Sequence, residues 1–149
     1  MKTFIYFLLF TPFAFGQQVN LGKTLIYPKC EKFEKKGNEK LESCFLGNFI
    51  EEVGQYSINI LAKKNIPYID IEAKMKFVID ESGNFTSLEF FGNEFNKELM
   101  RESVEMYLQK YNKRKKKIQP AKDENGNTIP KSFYIPYVLK KNITHINMN

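Results

Sequence analysis

Between residues 69 and 80 the chain alternates strictly. Ile69, Ile71, Ala73, Met75, Phe77 and Ile79 share one face, Asp70, Glu72, Lys74, Lys76 and Asp80 the other, and only Val78 departs from the polar set. A period of two with one apolar face predicts a β-strand lying between a core and water. "DESGN" supplies turn residues, with Gly83 free to take a positive φ. In "FTSLEFF" the apolar phase slips, because Phe85 and Leu88 are three apart whereas Leu88 and Phe90 are two apart. A bulge near Thr86 reconciles them in a second strand.

Helical periods flank this hairpin. Leu41, Phe45, Phe49 and Val53 recur every fourth residue over 39–53, flanked by Cys44 and Leu46, with Gly47 as the weak point. The stretch 54–68 is ambiguous: "INILAKK" can continue the helix, and Pro67 then ends it. Beyond the hairpin, Asn93 or Asn96 can cap a second helix that has Glu98 in its first turn. Its stripe is Met100, Val104, Tyr107 and Tyr111, widened by Leu99, Ser103 and Leu108. "PAKDENGNTIP" reads as loop. "KSFYIPYVLK" reads as a last strand with Phe133, Ile135, Tyr137 and Leu139 on one face. Pro136 has no N–H to donate, so this strand belongs at an edge or carries a bulge.

At 149 residues and 42% apolar content the chain supports one core. "MKTFIYFLLFTPFAFG", residues 1–16, reads as a cleaved secretory signal, with Lys2 first, an apolar run, and Ala14 and Gly16 at the peptidase spacing. An uncleaved anchor is the rival, but the run falls short of the roughly 20 residues that span a bilayer, and Pro12 interrupts it. No Cys follows it to carry a lipid. The expected order is the signal, an extended arm over 17–38, a domain over 39–140 and a flexible tail over 141–149, all periplasmic or secreted after cleavage.

That compartment bears on Cys30 and Cys44, the only cysteines. An oxidising milieu favours a disulfide between them, which stabilises by roughly 3 kcal/mol on the chain-entropy model. A zinc or redox pair is the rival. Their spacing is not that of a CxxC pair, and the lone His145 cannot complete a tetrahedral site, so neither a metal nor a cofactor is expected. Enzymatic chemistry is likewise not expected. His145 sits in the tail, both thiols are tied up, and the neighbouring carboxylates Glu51 and Glu52, or Asp80 and Glu81, point apart or lie in a solvated turn.

Net charge is +6, or +5 once Lys2 leaves with the signal. The excess is concentrated at Lys113, Arg114, Lys115, Lys116 and Lys117. Such a run suits the solvated C-terminus of a helix. The sharper reading is a peripheral contact with an anionic envelope surface. Nucleic acid is not the expected partner, since the chain is exported and only Tyr111 stands in the block for stacking.

Taken together, "FVID" with Gly83 following, "NKELMRESVEMY", "QPA" at 119–121, Gly126 with "IP" after it, "FYIPYVL", and the upstream "YPKCEK" and "SCF" resemble the C-terminal domain of the TonB family. The form is that of envelope proteins of Bacteroidetes-type bacteria, and the likeness covers about 27–140. The chain departs from it in lacking paired glycines ahead of the first strand and in having Ile118 where an aromatic is usual. It also has neither the anchor nor the Pro-rich spacer of an energy transducer. The resemblance implies an α+β fold with a three-stranded antiparallel sheet and two helices on one face. It also implies capture of an extended partner peptide, such as that of a TonB-dependent outer-membrane receptor, as an added strand. Phe133, Tyr134, Ile135 and Tyr137 are the residues expected to meet it. The alternative is that they only complete the core sheet, with Pro136 protecting the edge.

Overall fold

The structure, a computed structural model, describes residues 21–67 and 70–140. The expected signal, Ile69, His145 and the 141–149 tail lie outside the described residues.

The alternating segment forms strand β2 (Ile71–Ile79), which buries Ile71, Ala73, Met75, Phe77 and Ile79 and exposes Glu72, Lys74 and Lys76. It is the middle of an antiparallel sheet, with β3 (Phe85–Phe91) on one side and β6 (Lys131–Leu139) on the other. The bulge lies where the slipped phase put it. Pairing passes from Lys76 with Glu89 to Val78 with Thr86, so Ser87 and Leu88 together face Phe77, and Ser87 takes a φ of 52°. The extra residue returns Phe85 to the core side opposite Ile79.

Helix α1 (Asn38–Lys63) is longer than its clean stripe, and the ambiguous segment continues it. Its end is closed by Asn65 in a left-handed conformation (φ 52°), with Ile66 N–H donating to Leu61 O, two residues ahead of Pro67. Helix α2 (Glu94–Asn112) is capped by Asn93, whose Oδ1 accepts from Asn96 N at 2.8 Å. Asn96, the other candidate, is buried and donates to Glu72 O of β2, so it docks the helix onto the sheet.

Both helices cover the same sheet face. Phe45 and Phe49 of α1 and Tyr107 of α2 meet Phe77, Phe85 and Phe133 with ring centroids 5.2 to 6.3 Å apart, and Phe49 and Tyr107 meet each other at 4.9 Å. These aromatics form the centre of the core.

The expectation of a single sheet needs correction. β1 (Leu21–Lys23), β4 (Ala121–Asp123) and β5 (Thr128–Ile129) form a second three-stranded antiparallel sheet, so the α+β fold contains two among the described residues. Its strands are too short to show a period. "DENGN" is a hairpin turn rather than plain loop: Asp123 Oδ1 accepts from Asn125 N and Asn127 N, both at 2.9 Å. The arm packs into the core as well as being tied at Cys30. Ile26 and Gln119 exchange backbone bonds at 2.9 Å, and Leu25, Ile26, Tyr27 and Cys30 are buried. Cys30 and Cys44 are bonded, fixing a 3-10 helix (Glu31–Lys36) to the start of α1. No described helix is long and apolar enough to cross a membrane.

Candidate functional site

β6 ends the larger sheet, and no described strand lies on its far side. Its register against β2 runs unbroken from Lys131 with Ile79 to Leu139 with Ile71. The opposite edge, β3, is shorter and bent by its bulge, which hinders extended pairing. β6 is therefore the edge with regular geometry for an added strand.

Alternation divides β6 into two sets. Phe133, Ile135 and Tyr137 point into the core and are buried. Phe133 packs on Phe45 and Phe77, and Tyr137 OH donates to Ser57 Oγ at 3.0 Å, which in turn meets Ser103 Oγ at 2.8 Å. These three side chains hold the strand to the helices and are not available to line a partner. Of the four residues expected at the interface, only Tyr134 turns outward, at 59% exposure. Ser132, Pro136 and Val138 share its side of the strand.

Pro136 also fixes the direction of the main chain. It sits opposite Lys74 within an unbroken ladder, so its nitrogen must point away from β2. Residues of the same parity then aim their polar groups at the open edge. The donors that face no described strand are the N–H groups of Ser132, Tyr134 and Val138, while Pro136 contributes only its carbonyl. The odd-numbered residues direct theirs to β2. Sequence reasoning missed Ser132 and Val138, although the parity of Pro136 within "SFYIPYV" already carried the signal.

The basic run does not form one patch. Arg114 is only 19% exposed, forms an ion pair with Glu52, donates to Tyr27 OH, and lies over the rings of Tyr27, Tyr107 and Tyr111 at 5.7 to 6.0 Å. Lys117 Nζ caps α2 by donating to Tyr111 O and Asn112 O at 3.0 and 2.9 Å. Lys116 lies 3.6 Å from Glu31. Lys113 and Lys115 are exposed and stand without a described partner.

Around Arg114, burial pushes the Glu52 carboxyl up, but Lys29 and Arg114 outweigh it and hold the group below its ordinary range. Burial, reinforced by the Tyr27 hydroxyl, drives the Tyr107 phenol far above its own. This cluster joins the arm, α1 and α2. Neither Glu51 with Glu52 nor Asp80 with Glu81 forms a facing pair: Glu52 is bound to cations and Asp80 Oδ1 accepts from Ser82 N and Asn84 N. Among the described residues, no group of three or more His, Cys, Asp or Glu is placed to hold a metal.

On the sheet face away from the helices, an open cleft of about 510 Å³ is lined by Glu72, Ala73, Lys74, Phe91, Gly92, Pro136 and Val138. Comparison with protein-family models, curated proteins and solved structures found no match to this chain.

Proposed function

We propose that the protein is an exported, TonB C-terminal-like binding domain that recognises a partner peptide by strand addition along β6. The partner class is an extended segment such as that of an outer-membrane receptor, which links the domain to transport across the envelope. The observation that carries this reading is the nine-residue unbroken register of β6 at the end of its sheet. Main-chain bonds to an added strand supply affinity, and the side chains beside it supply choice. The donors at Ser132 and Tyr134 make one stretch of ladder, Pro136 interrupts it, and Val138 resumes it. The partner is therefore held in two short runs. The bonded Cys30–Cys44 pair fits an oxidising compartment outside the cytoplasm.

The test is recovery of partners from envelope extracts by the wild-type protein and by Tyr134→Pro and Val138→Pro. These variants delete outward N–H groups and leave the β2 ladder intact. Strand addition predicts loss of the recovered partner with the fold retained by circular dichroism. Equal recovery by all three proteins overturns the reading.

A further inference from the structure

The exposed face of the larger sheet differs from an ordinary solvated one. Of the five large apolar side chains exposed among the described residues, Phe91 (41%), Tyr134 (59%) and Val138 (49%) lie here, with Phe91 and Tyr134 edge to face at 6.1 Å. Between them, on the central strand, stand Glu72 and Lys74, two residues apart on the same face. Neither side chain has an ion-pair or hydrogen-bond partner among the described residues. The next charge along, Lys76, is already paired with Glu89 at 3.0 Å. The register places Val138 beside Glu72, and both Phe91 and Pro136 beside Lys74.

This arrangement is complementary to itself. We infer that the face is the contact between two copies of this chain, packed sheet to sheet about a two-fold axis that crosses β2 at Ala73. A two-fold axis lying in the contact plane and perpendicular to the strands reverses their direction. It sets Glu72 against the partner's Lys74, and Lys74 against the partner's Glu72. It sets Val138 against the partner's Pro136 and brings the two Phe91 rings together across the axis. Sheets packed in this way stand about 10 Å apart, so one layer of side chains from each copy fills the gap that is now the open cleft. The opposite charges fix the register, and the aromatic and aliphatic groups supply the apolar burial.

Three strands about 4.8 Å apart and about 30 Å long project a face of roughly 400 Å². That is small against the roughly 800 Å² per partner of a standard interface, so the dimer is weak and concentration-dependent. The helices and the open edge of β6 stay clear of this contact, so it is independent of strand addition.

Sedimentation velocity on the purified protein, from about 10 μM to about 1 mM, spans the dissociation range of such an interface. The expected result is reversible dimerisation that Lys74→Glu weakens at least about tenfold by setting like charges opposite one another. The double exchange Glu72→Lys/Lys74→Glu restores it to within about threefold, because the two-fold axis re-forms both pairs with their signs reversed. Phe91→Asp abolishes it. All three substitutions are at exposed positions, and retention of fold is checked by circular dichroism. A protein that stays monomeric to 1 mM overturns the inference, as does a double exchange no better than the single. A monomer whose recovery of another protein changes on Lys74→Glu also overturns it, assigning the face to a different partner.

Discussion

Two turns of this chain share the pattern D-E-x-G-N, at 80–84 and 123–127. In each, the Asp carboxylate accepts from the N–H groups two and four residues on, and the Gly takes a φ near 80°, at 79° for Gly83 and 85° for Gly126. Their surroundings differ. A Cβ on Gly83 would lie 2.1 Å from Ile118 O, whereas one on Gly126 meets nothing within 4 Å. Gly126→Ala should therefore cost about 1 kcal/mol, from backbone conformation alone. Gly83→Ala should cost about 3 kcal/mol or more, because it also displaces the carbonyl beside the Tyr111 bridge, where Tyr111 OH donates to Gly83 O and accepts from Ile118 N. Urea denaturation of the two variants measures the difference.

Glu52 governs a second effect at this scale. Its folded-state pKa lies below the ordinary value of 4.5, since Lys29 and Arg114 outweigh the upward push of burial. The stabilisation is then fully present above about pH 4.5 and is lost as the pH falls through the lower folded value. Glu52→Gln should lower stability at pH 7 and flatten the acid limb. Denaturation midpoints between pH 7 and pH 3 show whether it does.

Among the elements, β6 has two opposed sets of main-chain groups, and proline substitution separates them. Ile135→Pro removes an N–H that serves the β2 ladder and puts a ring where a buried side chain packs. It should destabilise the fold by about 3 kcal/mol or more. Val138→Pro removes an outward N–H at an exposed position and should change stability by no more than about 1 kcal/mol. Thermal unfolding of the two variants tests the parity assignment without a partner. A Val138→Pro loss as large as that of Ile135→Pro would show that the outward set had been assigned to the wrong residues.

For the whole molecule, salt separates the two modes of contact first read from the chain. An anionic surface held by Lys113 and Lys115 releases the protein as ionic strength rises, because exposed charges are screened beyond about 8 Å at physiological salt. A partner paired along β6 should be retained at about 0.5 M salt, since backbone bonding is little affected. Partner recovery at two salt concentrations distinguishes them. With Arg114 held inside the fold and Lys117 bound to the end of α2, the run keeps only Lys113, Lys115 and the Glu31-paired Lys116 at the surface.

Sequence by itself determined the parts whose signal is local. The alternation of β2, the slipped phase that becomes the bulge and the stripe of α2 follow from side-chain periods within one element, and the turn at Gly83 follows from the residue types of "DESGN". Tertiary structure decided whatever depended on remote partners. The strands at 21–23, 121–123 and 128–129 are too short to write a period, and they exist because they pair with each other. Arg114 leaves the surface because Glu52 and the Tyr27 hydroxyl lie 62 and 87 residues away in the chain yet meet it in space. Pro136 marks which side of β6 stays open, but which strand fills the other side was settled by the arrival of β2, since a strand's pattern does not name its neighbour.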